Sequence, residues 1–258
     1  MLTLGLAVAM LAAACAAYAY PTLAGPTGLV NVPTAEVASA GQFVAALDYY
    51  NSKDNGKTDS NSYPFRVLYG FGNNLEVGVG YDSDALSMTS YPDETETLST
   101  STKALWDVNA KYKIPSYFGA DWAVGALYGQ ANTDPDNTNV TQVYLAGTKD
   151  FSTGEGAPSI KGTIGVNWTQ VKATVTNSAW RFFLGAEAIV MPNLSVLADV
   201  QTKDSDLDRN AMWSAAARYA FTPVLSAQLG FTNGPIIGAN DTNLLLGVDY
   251  TFGGEATE

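Results

Sequence analysis

The chain has 258 residues, enough for one sizeable domain but not for a second large one. It holds 25 Asp and Glu against 13 Lys and Arg, a formal net charge of −12 that disfavours nucleic acid as a partner. With no histidine and one cysteine, Cys15, a Ser–His hydrolase site, an Asp–His protease site and a zinc site of the usual composition are excluded, so the reading is a non-enzyme without cofactor.

Residues 1–19 contain no charged side chain, run apolar from Leu2 to Leu11 and end in Ala17-Tyr18-Ala19, so they read as a removable export signal. The absence of an opening Lys or Arg fits a truncated start. A lipoprotein signal ending at Cys15 would usually carry a larger aliphatic three positions upstream, where Ala12 stands. Cleavage after Ala19 leaves a mature chain with no cysteine and therefore no disulfide. Residues 20–41 read as a periplasmic lead-in, with Pro33 and Gly41 marking turns.

No later stretch has the 18 or more consecutive apolar residues of a membrane-spanning helix, so any crossing must be made by strands. Residues 42–252 divide into segments of alternating apolar and polar or small residues, at 42–50, 63–71, 75–82, 103–114, 121–130, 141–151, 159–170, 179–190, 194–203, 211–221, 225–232 and 243–252. Their typical length of about ten residues is what a tilted strand needs to cross a bilayer. Residues 253–258 form a tail. The pattern predicts an all-β fold: a transmembrane antiparallel up-and-down barrel of about twelve strands.

Connections alternate in length. Gly72-Asn73-Asn74, Met191-Pro192-Asn193 and Thr222-Pro223-Val224 are tight turns, with 115–120 and 152–158 somewhat longer, whereas 51–61, 83–102, 131–140, 171–178, 204–210 and 233–242 are generally longer polar loops. Short periplasmic turns and longer external loops are the habit of outer-membrane barrels, and an even strand count puts both termini in the periplasm. The first and last strands should pair, because an open edge in hydrocarbon leaves N–H and C=O groups unsatisfied.

Alternation assigns the faces. In the last segment Leu244, Leu246, Val248, Tyr250 and Phe252 face lipid while Leu245, Gly247, Asp249 and Thr251 face inward. A soluble sandwich would share this period, but the outward aromatics form two girdles: Phe71, Trp122, Phe151, Phe221 and Phe252 near the short turns, and Tyr49, Tyr81, Trp106, Tyr128, Trp168, Trp180 and Phe231 near the long loops.

Alternating from Leu244 to an aromatic at Phe252, the final strand resembles the carboxy-terminal signal of bacterial outer-membrane proteins, which implies recognition by the outer-membrane assembly machinery. Here residues 253–258 follow the aromatic. Gly28-Leu29-Val30-Asn31-Val32-Pro33-Thr34-Ala35, followed by Gly41-Gln42, resembles the opening of YjbH-type exopolysaccharide-associated barrels, which are generally much larger. That resemblance implies a role near polysaccharide export; the same residues also read as a plain lead-in.

The inward positions carry Arg66, Lys111, Lys113, Lys161, Arg181, Lys203 and Arg218, matched by Asp48, Glu76, Asp82, Asp107, Glu187, Asp199 and Asp249. One reading is cross-strand ion pairs that neutralise charge in a narrow space. The other is a permeation path in which Arg66, Arg181 and Arg218 face carboxylates across a constriction. Inward Gly78, Gly80, Gly125, Gly129, Gly165, Gly185, Gly230 and Gly247 would leave space or serve curvature. Asp204, Asp206 and Asp208 have the alternating oxygens of a calcium loop, but Arg209 stands where an EF-hand has Gly, so a solvated acidic loop is favoured.

Two functions follow. The barrel is a passive, porin-like channel for small hydrophilic solutes or ions, or it is a non-conducting structural, adhesive or envelope-assembly barrel acting through its long loops. Membrane lipids are its surroundings in either case, and outward Ala186 and Ala188 offer room for a homo-oligomer contact.

Overall fold

The computed structural model of the chain describes residues 19–54, 58–90, 99–131, 137–152, 159–203, 211–233 and 242–254. Nearly all of the proposed export signal and the acidic loop at Asp204, Asp206 and Asp208 lie outside the described residues.

The strands are β1 (Gln42–Asp54), β2 (Thr58–Ser62), β3 (Phe65–Phe71), β4 (Leu75–Ser90), β5 (Ser99–Tyr117), β6 (Ala120–Ala131), β7 (Thr138–Asp150), β8 (Ser159–Lys172), β9 (Thr176–Met191), β10 (Leu194–Gln201), β11 (Met212–Thr222), β12 (Leu225–Thr232) and β13 (Asn243–Gly253). Each pairs antiparallel with its sequence neighbours, except that β2 and β3 both pair with β1 and are two halves of one barrel strand. The break falls at Tyr63-Pro64. Pro64 has no N–H to give to a ladder, yet its carbonyl still accepts from the Asp48 N–H at 2.9 Å.

The barrel closes through β1 and β13, in a register running from Gln42 opposite Gly253 to Tyr50 opposite Leu245. Counting β2 and β3 as one, twelve strands form a closed antiparallel barrel, as the alternation predicts. Strand ends depart from the predicted ones mainly at the long-loop end. Residues 83–90 and 99–102, expected as loop, continue the β4–β5 ladder, and β1–β2 and β8–β9 close more tightly than expected. Beyond the hydrocarbon neither face needs to be apolar, so the period of two that marks a strand disappears although pairing continues.

The faces fall as the alternation assigns them. In β13 burial alternates strictly, with Leu244, Leu246, Val248, Tyr250 and Phe252 exposed and the residues between them buried. Exposed apolar side chains recur on strands all around the barrel, among them Leu47, Val79, Val124, Ile164, Leu184 and Leu229. A soluble monomer seldom exposes a contiguous apolar surface of this kind, so the belt is a lipid-facing one. Rings pair along it: Phe43 stacks on Phe252 across the closing seam at 5.2 Å, and Trp106 meets Tyr128 at 5.9 Å.

Candidate functional site

Residues 19–38 lie inside the barrel, and 39–41 lead from them into β1 at its short-turn end. The sequence reading placed 20–41 as a lead-in outside it, and the difference has a physical cause visible in the strands. Tyr50, Leu68, Leu105, Leu127, Tyr144, Phe183, Leu197 and Leu245 face inward and are buried, which a water-filled lumen would not favour. The amino-terminal segment supplies the apolar partner: Leu23, Leu29, Val30 and Val32 form one cluster with Tyr50, Tyr144, Phe183, Leu197 and Leu245. We call this segment the plug.

The plug folds back on itself. Pro21 bridges to Thr27 and Gly28 to Pro33, and the Leu23 N–H donates to the Val30 carbonyl at 2.9 Å. Gly28 permits the close approach, since a Cβ there would meet Thr22 Cγ2 at 2.6 Å and Pro33 Cα at 2.8 Å. Both ends of the plug lie at the short-turn end of the barrel. Ala19 and Ala38 cluster with Val44 and Leu68, and the Gly41 N–H donates to the Gly70 carbonyl, beside the 72–74 turn, at 2.9 Å.

Charged side chains of the wall hold the plug by its backbone. Glu76 accepts from the Thr27 N–H at 2.9 Å, from the Thr27 hydroxyl, and from the Ala38 N–H at 2.8 Å. Lys111 lies opposite Glu76 at 3.5 Å and donates to the Thr27 carbonyl at 2.8 Å. Asp199 accepts from the Val30 and Asn31 N–H groups, each at 2.9 Å, and from Asn31 Nδ2 at 3.2 Å. Arg66 donates to the Leu23 carbonyl as well as to the Phe65 and Tyr81 carbonyls. Hydrogen bonds to charged groups contribute about 1.5–3 kcal/mol each, so these contacts decide where the plug sits.

The remaining sequence candidates divide by position. Arg218 lies over the Tyr20 ring at 3.9 Å and reaches Glu187 at 3.7 Å; Asp48 accepts from Gln228 at 2.9 Å and from the Tyr20 hydroxyl at 3.5 Å. Lys161, in register with Glu187, instead bonds Glu36 of the plug at 2.5 Å. Asp249 accepts from the Ser226 hydroxyl and Asp82 from the Ser62 hydroxyl, while Lys113 pairs with Asp121 at 2.8 Å near a short turn. Lys203 falls beyond β10 and is exposed, so it is not an inward residue. Arg66, Arg181 and Arg218 do not form a ring around open water, because Arg66 and Arg218 are engaged with the plug.

The inward glycines leave space that is filled. Leu29 occupies the room left by Gly185, the Tyr20 hydroxyl lies against Gly247, and the rings of Tyr144 and Phe183 cover Gly125 and Gly165 directly across the ladder. Among the described residues two clefts stay open in the lumen, one towards the short turns and one towards the long loops. The short-turn cleft is bordered by Glu36, Lys161, Glu187, Ser195 and Arg218. The long-loop cleft lies between Thr22, Pro26 and Asn31 of the plug and Asp107, Asn167 and Arg181 of the wall. Among the described residues no cluster of three potential metal ligands occurs.

No protein-family model matches the chain, and no curated protein matches it. Solved structures match its fold. The KdgM porin in complex with disordered oligogalacturonate superposes with a TM-score of 0.56 at 11% identity, over 80% of this chain and 99% of that one. The COG4313 outer membrane channel from Pseudomonas putida F1 does so with a TM-score of 0.54 at 14% identity, over 86% and 100%. LpxR from Salmonella typhimurium gives 0.50 at 9% identity, over 81% and 100%. The chain therefore has the fold of a bacterial outer-membrane β-barrel.

Proposed function

We propose that the protein is an outer-membrane channel for small hydrophilic solutes or ions whose pore is closed, in the arrangement described, by its own amino-terminal segment, with both termini on the periplasmic side. The observation that carries this reading is the way the plug is held. Its ends meet the wall at the short-turn end, while Glu76 and Asp199 grip its middle through backbone N–H groups. A segment fastened by a few charge-assisted hydrogen bonds can be released by weakening them without dismantling the β-ladder, which closes independently through β1 and β13. The fold shared with the porin and the channel named above is consistent with conduction.

Planar-bilayer recording from the folded protein tests this. Wild type should conduct rarely, whereas Glu76→Gln combined with Asp199→Asn, or removal of residues 22–36, should give frequent discrete openings. A cation-selective reversal potential is expected from the net charge of −12. Silence from folded, inserted variants would favour a non-conducting barrel that acts through its loops, a reading to which the filled lumen and the YjbH-like segment 28–35 also lend support.

A further inference from the structure

We propose that Lys161 and Arg218 exchange partners when the plug leaves, with Glu187 of the wall receiving both cations and so stabilising the vacated pore. This rests on the channel reading and adds the regulation of its gate. Lys161 on β8 stands directly opposite Glu187 on β9, the cross-strand position in which opposite charges pair. With the plug seated, Lys161 bonds Glu36 of the plug instead, at 2.5 Å. Arg218 is turned to the plug as well. Its guanidinium lies 3.9 Å from the centroid of the Tyr20 ring, its contact with Glu187 is a loose 3.7 Å, and its Nε and Nη2 bond nothing in the protein.

The wall charges therefore have two ways to be satisfied. In the seated state the plug supplies a carboxylate to Lys161 and an aromatic face to Arg218. In the vacated state both are gone, and Glu187, which borders the short-turn cleft together with Lys161 and Arg218, is the carboxylate within reach of both long side chains. Removing one partner of a charge pair is costly when the other is left alone, so a waiting carboxylate lowers the cost of releasing the plug. Two discrete pairings of one network are what makes a segment bistable. The exchange is also in the right place, since both ends of the plug lie at the short-turn end. The Lys161 and Glu36 side chains are 26% and 31% exposed, so the pair is partly screened and biases the plug by a few-fold rather than locking it.

Thiol labelling of the detergent-folded full chain tests the exchange. Thr22 is fully buried in the plug, so in a chain carrying Cys15→Ser and Thr22→Cys the rate of maleimide labelling reports how often the plug is out. The label should be carried by the heat-modifiable folded form, which shows that it enters without unfolding of the barrel. Glu36→Gln should raise the rate about two- to fivefold, and Glu187→Gln should lower it by a similar factor, although each removes one negative charge beside the same lysine. Lys161→Met should abolish most of the response to Glu36→Gln. Shifts of the same sign for the two carboxylates, unchanged rates, or no labelling in any variant would each overturn the proposal. Labelling is read without current, so opposite shifts in a barrel that never conducts sink the channel reading alone. A conducting barrel in which the two carboxylates act alike sinks this proposal alone.

Discussion

Glu76 and Lys111 stand directly opposite each other on β4 and β5, 3.5 Å apart with no exposed side-chain surface, and both grip one residue of the plug: Glu76 takes the Thr27 N–H, Lys111 the Thr27 carbonyl. A buried ion pair alone is weak evidence of stabilisation, because desolvation offsets the attraction. This pair does more, since it satisfies plug backbone groups that would otherwise be stranded away from water. Glu76→Ala should cost about 3–5 kcal/mol, by leaving Lys111 uncompensated. Replacing both, Glu76→Leu with Lys111→Met, should recover only part of that loss, because the Thr27 and Ala38 N–H groups remain without an acceptor. Urea unfolding in detergent measures both variants; full recovery in the double variant would show that Glu76 matters only as a counter-charge.

Leu29 fills the gap over Gly185 and is 2% exposed, so it is the plug's apolar anchor. Leu29→Ala should destabilise the folded protein by about 2–5 kcal/mol through the cavity it opens. A loss below about 1 kcal/mol would mean the plug collapses into the space or contributes little to stability.

Gly28 tests the plug apart from the barrel. Gly28→Val drives a side chain into Thr22 and the Pro33 backbone, and overpacking of this kind costs about 1–3 kcal/mol. The strain is confined to the plug hairpin, so the barrel should still migrate as a heat-modifiable species in electrophoresis while residues 20–36 become sensitive to added protease. A plug as resistant as the wild type's would contradict the tight approach at Gly28.

Arg at Val248, on the lipid face at mid-strand, should destabilise the barrel by about 2–4 kcal/mol. From the sequence, Arg at Gly247 would be the tolerated control if the lumen were roomy. It is not: a Cβ at Gly247 would run into Asp48 Oδ1 and meet the Tyr20 hydroxyl at 2.6 Å and Gln228 Cγ at 2.9 Å. Gly247→Arg should therefore also destabilise the wild-type barrel, and removal of residues 20–36 should recover part of that loss, since Tyr20 leaves with the plug while Asp48 and Gln228 belong to the wall. Unfolding midpoints of the four combinations decide it, and only the lumen position should respond to loss of the plug.

The barrel was legible because a membrane strand writes its environment residue by residue. Lipid on one side forces the alternation seen from Leu244 to Phe252, turns interrupt it at fixed intervals, and closure follows because hydrocarbon tolerates no open edge. The charged residues that line the lumen were legible on the same grounds, as inward positions of those strands. Their partners were not. Glu76 and Asp199 bond residues that are 49 and 169 positions or so away in the chain, and backbone N–H groups of any sequence can fill that role. One signal did exist. Leu245 lies between Leu244 and Leu246, and Tyr144 and Phe183 likewise put large apolar groups on the inward face, so these strands are apolar on both sides. An apolar inner wall requires something apolar against it.

Thus the sequence by itself determined the strands, their faces and the closed barrel, because those depend on local alternation and on the solvent each face meets. Only the tertiary structure decided that the lumen is occupied, that residues 19–38 are the occupant, and that Thr22, Asn31, Asp107 and Asn167 gather around one cleft. These facts depend on where a segment of irregular backbone comes to rest. That is set by many distant contacts acting together, and it leaves no period in the chain to read.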